Sequence, residues 1–219
     1  MFVVSPIYKA IEIMDFINSI EAVILAGGDY PTCELPLTIL REARYVVCCD
    51  GATNEYIARG NMPDAIVGDG DSLSEEYRTR FAERVHHNPD QETNDLTKAV
   101  EFLRQRGVRN IAVVGATGRR EDHAIGNIAL MAEYLQAGLN VRIYTDYGVF
   151  IACRDAATFD CSVGQAVSIF NFTAEGFAAE GLKYPLYDFT KWWQGTLNRT
   201  TAERFTISAK GDYLVFIAY

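Results

Sequence analysis

Short apolar runs alternate with stretches of helical period over the first two-thirds of the chain. Residues 22–26 (Ala-Val-Ile-Leu-Ala), 45–49 (Tyr-Val-Val-Cys-Cys), 65–67 (Ala-Ile-Val), 110–114 (Asn-Ile-Ala-Val-Val) and 141–144 (Val-Arg-Ile-Tyr) read as strands, and 85–87 (Val-His-His) as a short one. Strands that are apolar on successive residues are covered on both faces, as in a parallel sheet. Residues 35–44, 53–59, 74–82, 95–106 and 124–137 carry apolar positions at helical spacing. Strand–helix alternation predicts an α/β domain with a parallel sheet and right-handed crossovers. Ligands of such sheets bind outside the carboxyl ends of the strands.

The texture changes near residue 148. Segments 148–153, 157–161, 165–172, 176–182 and 205–219 are short, β-branched or aromatic, and divided by glycines. Lys210-Gly211-Asp212 predicts a hairpin turn between strands 205–209 and 213–218. This half reads as a small antiparallel β-sandwich, which places the domains at 1–147 and 148–219. Residues 1–20 (Ile7, Ala10, Ile11, Ile13, Met14 and Ile17 among them) fit a short amphipathic helix or extension packed on the first domain. No repeat or flexible linker separates the halves.

Polar residues gather where the strands end. In Asp64-Ala65-Ile66-Val67-Gly68-Asp69-Gly70-Asp71-Ser72 an apolar run stops in two carboxylates one residue apart. Like charges so close need solvation or a cation between them; a tight turn is the plain alternative, because Gly and Asp are turn residues. Asp50-Gly51-Ala52 follows another strand, and Gly27-Gly28-Asp29 a third. The loop from Asn88 to Asp95 enters a helix for which Thr93 and Asn94 are possible N-caps and Asp95 suits the dipole. Lys98, three residues on, could pair with Asp95 or touch a phosphate. In Gly115-Ala116-Thr117-Gly118-Arg119-Arg120-Glu121-Asp122-His123 the glycines permit a tight loop and the arginines can bind phosphate oxygens. Asp122 could cap the next helix, and His123 could be a structural or a ligand-binding group. On this topology Asp50, Asp69, Asp71 and Asp95 would converge opposite Arg119 and Arg120, an arrangement suited to a magnesium-chelated polyphosphate. There is no G-x-x-x-x-G-K-[ST] loop, so the chain is not a P-loop enzyme.

Composition narrows the partners. With 49% hydrophobic residues and net charge −9, the chain is an ordinary globular one that argues against duplex nucleic acid or an anionic membrane. Five cysteines without C-x-x-C spacing read as thiols in a reducing cytosol, with a thiolate metal site as the sharper alternative. No signal peptide or membrane span is expected, and the expected location is cytoplasmic.

Four blocks, Cys49-Asp50-Gly51-Ala52, Gly68 to Ser72, Asp90-Gln91-Glu92-Thr93-Asn94-Asp95 and Gly115 to His123, resemble thiamine pyrophosphokinases. In that family they read roughly C-D-G-A, G-D-x-D-S, D-Q-D-x-T-D and G-A-x-G-G-R-x-D-H. Gly181-Leu182-Lys183-Tyr184-Pro185-Leu186 is similar to its G-L-K-[YW]-x-L segment. The resemblance implies an ATP-binding α/β domain, a β-sandwich and a homodimer with thiamine held near the subunit interface. It implies transfer of the pyrophosphoryl group of Mg-ATP to thiamine, giving thiamine diphosphate and AMP. By position Asp69, Asp71 and Asp95 would be the metal and phosphate carboxylates, Asp50 a supporting one, Gln91 a nucleotide contact and Arg120 the phosphate-binding arginine. Asp71 and Asp95 are the choices for accepting the hydroxyl proton. Asn94, Lys98, Gly118, Arg119, Asp122 and His123 flank these positions, and Tyr184, Thr196 and Asn198 are the substrate-side candidates.

Three departures stand out. Arg119 occupies a common glycine position, which puts that loop's backbone in question. Asn94 replaces threonine, and Gly195-Thr196-Leu197-Asn198 only loosely follows G-x-S-x-S-N. Trp192 and Trp193 could stack on a cationic ring or simply pack. The competing readings are a non-catalytic nucleotide-binding dimer and a phosphotransferase that acts on another alcohol or forms ADP.

Overall fold

The computed structural model describes residues 19–219, so the helix expected within 1–20 lies almost wholly outside them. The chain divides into two compact units between Glu121 and Asp122.

In the first unit β1 (Ala22–Leu25), α1 (Glu34–Arg41), β2 (Val46–Cys49), α2 (Ala52–Ala58), β3 (Ala65–Gly68), α3 (Glu75–Arg80), β4 (Val85–His87), α4 (Asp95–Gln105) and β5 (Asn110–Val114) follow in order. Strands β5-β1-β2-β3-β4 lie side by side and are parallel. All four residues of β1, β2 and β3 are buried, which is why they read as unbroken apolar runs. Because β2 to β4 extend to one side of β1 and β5 to the other, the strand order reverses beside β1. Ser74 caps α3 by accepting from the Tyr77 N–H, and Asn94 caps α4 by accepting from that of Thr97.

In the second unit the helix expected at 124–137 starts earlier and is interrupted at Leu130, giving α5 (Glu121–Ala129) and α6 (Met131–Gln136). Asp122 therefore sits inside the first turn of α5 and is not its cap; with Glu121 it complements the positive helix end. Strands β6 (Asn140–Tyr144), β7 (Gly148–Arg154), β8 (Ala157–Asp160), β9 (Ala166–Asn171), β10 (Glu175–Glu180), β11 (Asn198–Arg199), β12 (Arg204–Lys210) and β13 (Asp212–Ala218) complete it. They form two antiparallel layers, β11-β9-β13-β7-β6 and β10-β12-β8. Phe205 and Ile207 of one layer and Val167, Ile169, Tyr213, Val215 and Ile217 of the other share a core, so this unit is the expected sandwich.

The hairpin expected at Lys210-Gly211-Asp212 does not form. β12 pairs with β10 and β8, whereas β13 pairs with β7 and β9. Buried on consecutive residues, β13 needs a partner on each edge, and the bend at Gly211 (φ 118°) carries the chain from one layer to the other.

Tyr213 is fully buried and its hydroxyl has no hydrogen-bond partner among the described residues. A buried hydroxyl left without a partner costs stability. Tyr213→Phe is therefore expected to stabilise the fold by about 1 kcal/mol in urea unfolding; a loss of that size would mean the hydroxyl is hydrogen-bonded in solution.

Candidate active site

Two adjacent parallel strands deliver three carboxylates to one place. Asp50 follows β2, and Asp69 and Asp71 follow β3. One oxygen from each lies within 4.8 Å of the others. The approach depends on Gly68: a Cβ there would stand 2.6 Å from Asp50 Cβ, so only hydrogen fits.

A frame of donors fixes the turn that follows. The Asp71 N–H donates to Asp69 Oδ1 at 3.2 Å, and the Ser72 N–H donates to Asp50 Oδ2 at 2.9 Å. The Ser72 hydroxyl donates to Asp71 Oδ1 at 2.8 Å, so one serine joins two of the acids. Asn54 of α2 brackets that serine, donating to its carbonyl at 2.8 Å and accepting from the Ser74 N–H at 3.1 Å. The Arg78 guanidinium of α3 donates to the Gly70 carbonyl. Ser72 lay within the motif, but nothing in the spacing marked Asn54 or Arg78 as its supports.

Asp50 is only 1% exposed. Burial raises its pKa, the Ser72 N–H opposes that rise, and the charges of Asp95, Asp69 and Asp71 add to it. Asp69 is shifted down, first by the hydrogen bond from Gln91 Nε2 at 3.1 Å and then by the Asp71 N–H. Folded Asp50 thus holds its proton at pH values where the unfolded chain has lost it. Stability of the metal-free protein falls as pH rises from the ordinary aspartate range through the elevated Asp50 value. Asp69 contributes with the opposite sign, adding stability that is lost as pH falls through its depressed value. Asp50→Asn is expected to flatten the Asp50 fall in urea unfolding measured across the acid range, and an unchanged slope would place it on another group.

Asp95 opens α4, and its carboxylate pairs with Lys98 Nζ at 3.2 Å; that lysine side chain is 3% exposed. Lys98 thus meets Asp95 across one helical turn, and Asp95 still acts on Asp50 through its charge. The Asn94 oxygen is taken by the Thr97 N–H at 2.9 Å. Asp90 organises the preceding loop, accepting from the Glu92 N–H at 3.0 Å and the Thr93 hydroxyl at 2.5 Å.

The loops after β1 and β5 are stitched together. The Gly28 N–H donates to the Gly115 carbonyl at 2.7 Å and the Asp29 N–H to that of Thr117 at 2.8 Å. Gly118 then faces Asp29 too closely for any side chain. Arg119 has φ 57°, the left-handed backbone that glycine takes freely, and its guanidinium reaches the Gly27 carbonyl and Glu55 Oε2, each at 3.1 Å. Arg120 follows it, while Asp122 and His123 lie in the first turn of α5.

In the second unit Tyr184, Tyr187, Phe189, Thr196 and Asn198 line an open groove of about 310 Å³. Asn198 is a staple in its wall: its oxygen accepts from the Tyr184 N–H at 3.0 Å and its amide donates to the Tyr184 carbonyl at 2.8 Å. Thr196 donates to the Trp193 carbonyl at 2.7 Å. Trp192 leans on Phe170, with ring centroids 5.3 Å apart, and Trp193 is exposed.

Comparison with known proteins agrees with this fold. The family model described as "Thiamin pyrophosphokinase, catalytic domain" matches residues 37–181, and "Thiamin pyrophosphokinase, substrate-binding domain" matches residues 148–216. Thiamin pyrophosphokinase 1 of Caenorhabditis elegans is 31% identical over 120 residues, 51% of this chain and 49% of that protein. Thiamine pyrophosphokinase of Bacillus subtilis is 29% identical over 98 residues, 43% and 46% of the two. The chain spans about half the length of the curated relatives it matches. The crystal structure of the Bacillus subtilis thiamine pyrophosphokinase superimposes with TM-score 0.74 at 20% identity, covering 90% of this chain and 98% of that one. Thiamin pyrophosphokinase from Candida albicans gives TM-score 0.78 at 18% identity, over 94% and 90%. These structures share the fold, and with the catalytic-domain match alone taking in more than half of the 219 residues, the chain belongs to the thiamin pyrophosphokinase family.

Proposed function

We propose that the protein transfers the pyrophosphoryl group of ATP to the hydroxyl of thiamine, giving thiamine diphosphate and AMP. The observation that carries this reading is the meeting of Asp50, Asp69 and Asp71 within 4.8 Å, at strand ends inside the catalytic-domain match. The hydroxyl oxygen bonds to the β-phosphorus, the bond from that phosphorus to the α,β-bridging oxygen breaks, and AMP leaves with that oxygen.

Three carboxylates, one of them buried against its neighbours' charge, are hard oxygen donors that fit Mg2+. Asp50, Asp69 and Asp71 would hold it, with Asp95 the fourth carboxylate of the acidic wall. Bound Mg2+ supplies neutralisation of polyphosphate charge. Arg120 binds phosphate oxygens from the Gly115–Arg120 loop, with Gly118 keeping that loop tight. Gln91 holds Asp69 in place and offers its remaining polar atoms to the nucleotide. Asp71, exposed beside the buried Asp50, takes the hydroxyl proton.

The groove around Tyr184 is the thiamine side, and it falls within the substrate-binding match. Thiamine carries a permanent positive charge, which aromatic faces attract. We assign residues 1–147 to nucleotide chemistry and 148–219 to thiamine binding and dimerisation. A homodimer is supported by the exposed Tyr184, Tyr187, Trp193 and Leu197 of the second unit. No described helix is long and apolar enough to cross a membrane, and all five cysteines are free thiols, in keeping with a cytoplasmic enzyme.

Incubation with thiamine, ATP and Mg2+ should give thiamine diphosphate and AMP in equal amounts. Formation of ADP would move the reaction to terminal phosphoryl transfer, and nucleotide binding without product would make the protein a binding module.

A further inference from the structure

Glu55 stands in a run of contacts that the proposed chemistry does not use. Its Oε1 accepts from Arg59 Nη2 at 2.7 Å and its Oε2 from Arg119 Nη2 at 3.1 Å. Arg59 lies over the Tyr30 ring, its Cζ 3.9 Å from the centroid. Arg119 continues to the Gly27 carbonyl at 3.1 Å and stands 3.9 Å from Asp29 Oδ1. Gly27 and Tyr30 follow β1, Glu55 and Arg59 belong to the segment after β2, and Arg119 follows β5. A single guanidinium–carboxylate–guanidinium run therefore ties together the chain beyond three neighbouring strands.

Arg119 does this from a left-handed backbone, φ 57°, a conformation that disfavours every residue with a Cβ. What glycine could not supply at this position is a side chain, and the contacts of that side chain are Glu55, Asp29 and the Gly27 carbonyl. With its guanidinium engaged on these protein oxygens, Arg119 leaves phosphate capture to its neighbour.

We infer that Glu55 and Arg119 are positioning residues: their ion pair clamps the Gly115–Arg119 loop onto the segments after β1 and β2, and so sets where Arg120 meets the nucleotide phosphates. The inference rests on the proposed nucleotide role of that loop. The opposite arrangement, in which Glu55 holds Arg119 away from the nucleotide, makes the opposite prediction, because removing the carboxylate would then tighten binding.

The test compares the full-length protein with E55Q, R119G and the double variant. Binding of a non-hydrolysable Mg-ATP analogue is read by calorimetry, kcat and KM by AMP formation, and stability by urea unfolding. An exposed ion pair of this kind carries on the order of fivefold in an equilibrium constant. Each single variant should weaken nucleotide binding by about that factor while kcat at saturating nucleotide stays within about twofold. The double variant should be no weaker than either single one, since both remove the same clamp. R119G should keep the wild-type stability, because glycine accepts this backbone freely. Unchanged or tighter binding in E55Q, additive losses in the double variant, or losses in stability alone would overturn the clamp. Nucleotide bound by the wild type without AMP formation would overturn only the transfer reaction, and the calorimetric comparison would still decide the clamp. A wild type that binds no nucleotide would overturn both.

Discussion

Asp71→Asn is expected to lower turnover to thiamine diphosphate by about three orders of magnitude with little change in folding stability. The stability half follows from exposure. Asp71 is a surface residue whose carboxylate accepts from the Ser72 hydroxyl at 2.8 Å, a bond that an amide oxygen can still accept. The activity half follows from charge. Asparagine keeps the shape but removes an anion from a group of three within 4.8 Å, weakening the hold on a divalent cation, and it cannot take a proton from the attacking hydroxyl. The two roles separate in the measurement. If proton transfer dominates, kcat falls far more than affinity for the nucleotide; if cation binding dominates, raising the Mg2+ concentration restores much of the rate. Near wild-type turnover at all Mg2+ concentrations would remove Asp71 from the chemistry.

Gly68→Ala should damage the same site from beneath. The added Cβ would lie 2.6 Å from Asp50 Cβ and 3.2 Å from its Cγ, so either β3 or the backbone at Asp50 must move. Gly68 is itself held in the sheet, since its carbonyl accepts from the Asn88 N–H at 2.8 Å, and because the Asp50 Cβ is fixed to its own backbone, the chain at Asp50 is what gives. Overpacking of this kind costs about 1–3 kcal/mol. Displacing Asp50 also breaks the hydrogen bond from the Ser72 N–H, which loosens the turn carrying Asp69 and Asp71. A loss of activity of about a hundredfold, together with a lowered urea midpoint, is the expected result, because misplacing a catalytic group by about 1 Å costs that much. Full activity would show that β3 shifts as a whole without disturbing the acids.

Legibility varied with how local the governing physics was. Strands β1, β2, β3 and β5 were readable because covering a strand on both faces demands an unbroken apolar run. The carboxylates were readable because acids just past such runs fall at the ligand-binding edge of a parallel sheet. The cap of the helix at Asp95 was readable to within Thr93 or Asn94, since capping is settled within one helical turn, and the structure gives it to Asn94. The turn at Lys210-Gly211-Asp212 misled because a tight bend specifies a change of direction and not the strand's partner. The early start of α5 was hidden in the left-handed backbone at Arg119.

By itself, then, the sequence determined most of the elements, the α/β and sandwich classes, the family and the carboxylates that stand at strand ends, because periodicity and motif order are properties of neighbours along the chain. Only the tertiary structure decided which acids meet, that Asn198 is spent on backbone groups and that Arg119 is held by Glu55. Those pairings join residues through sheet order and loop closure, and distances across a sheet are set by packing that no local stretch of chain contains.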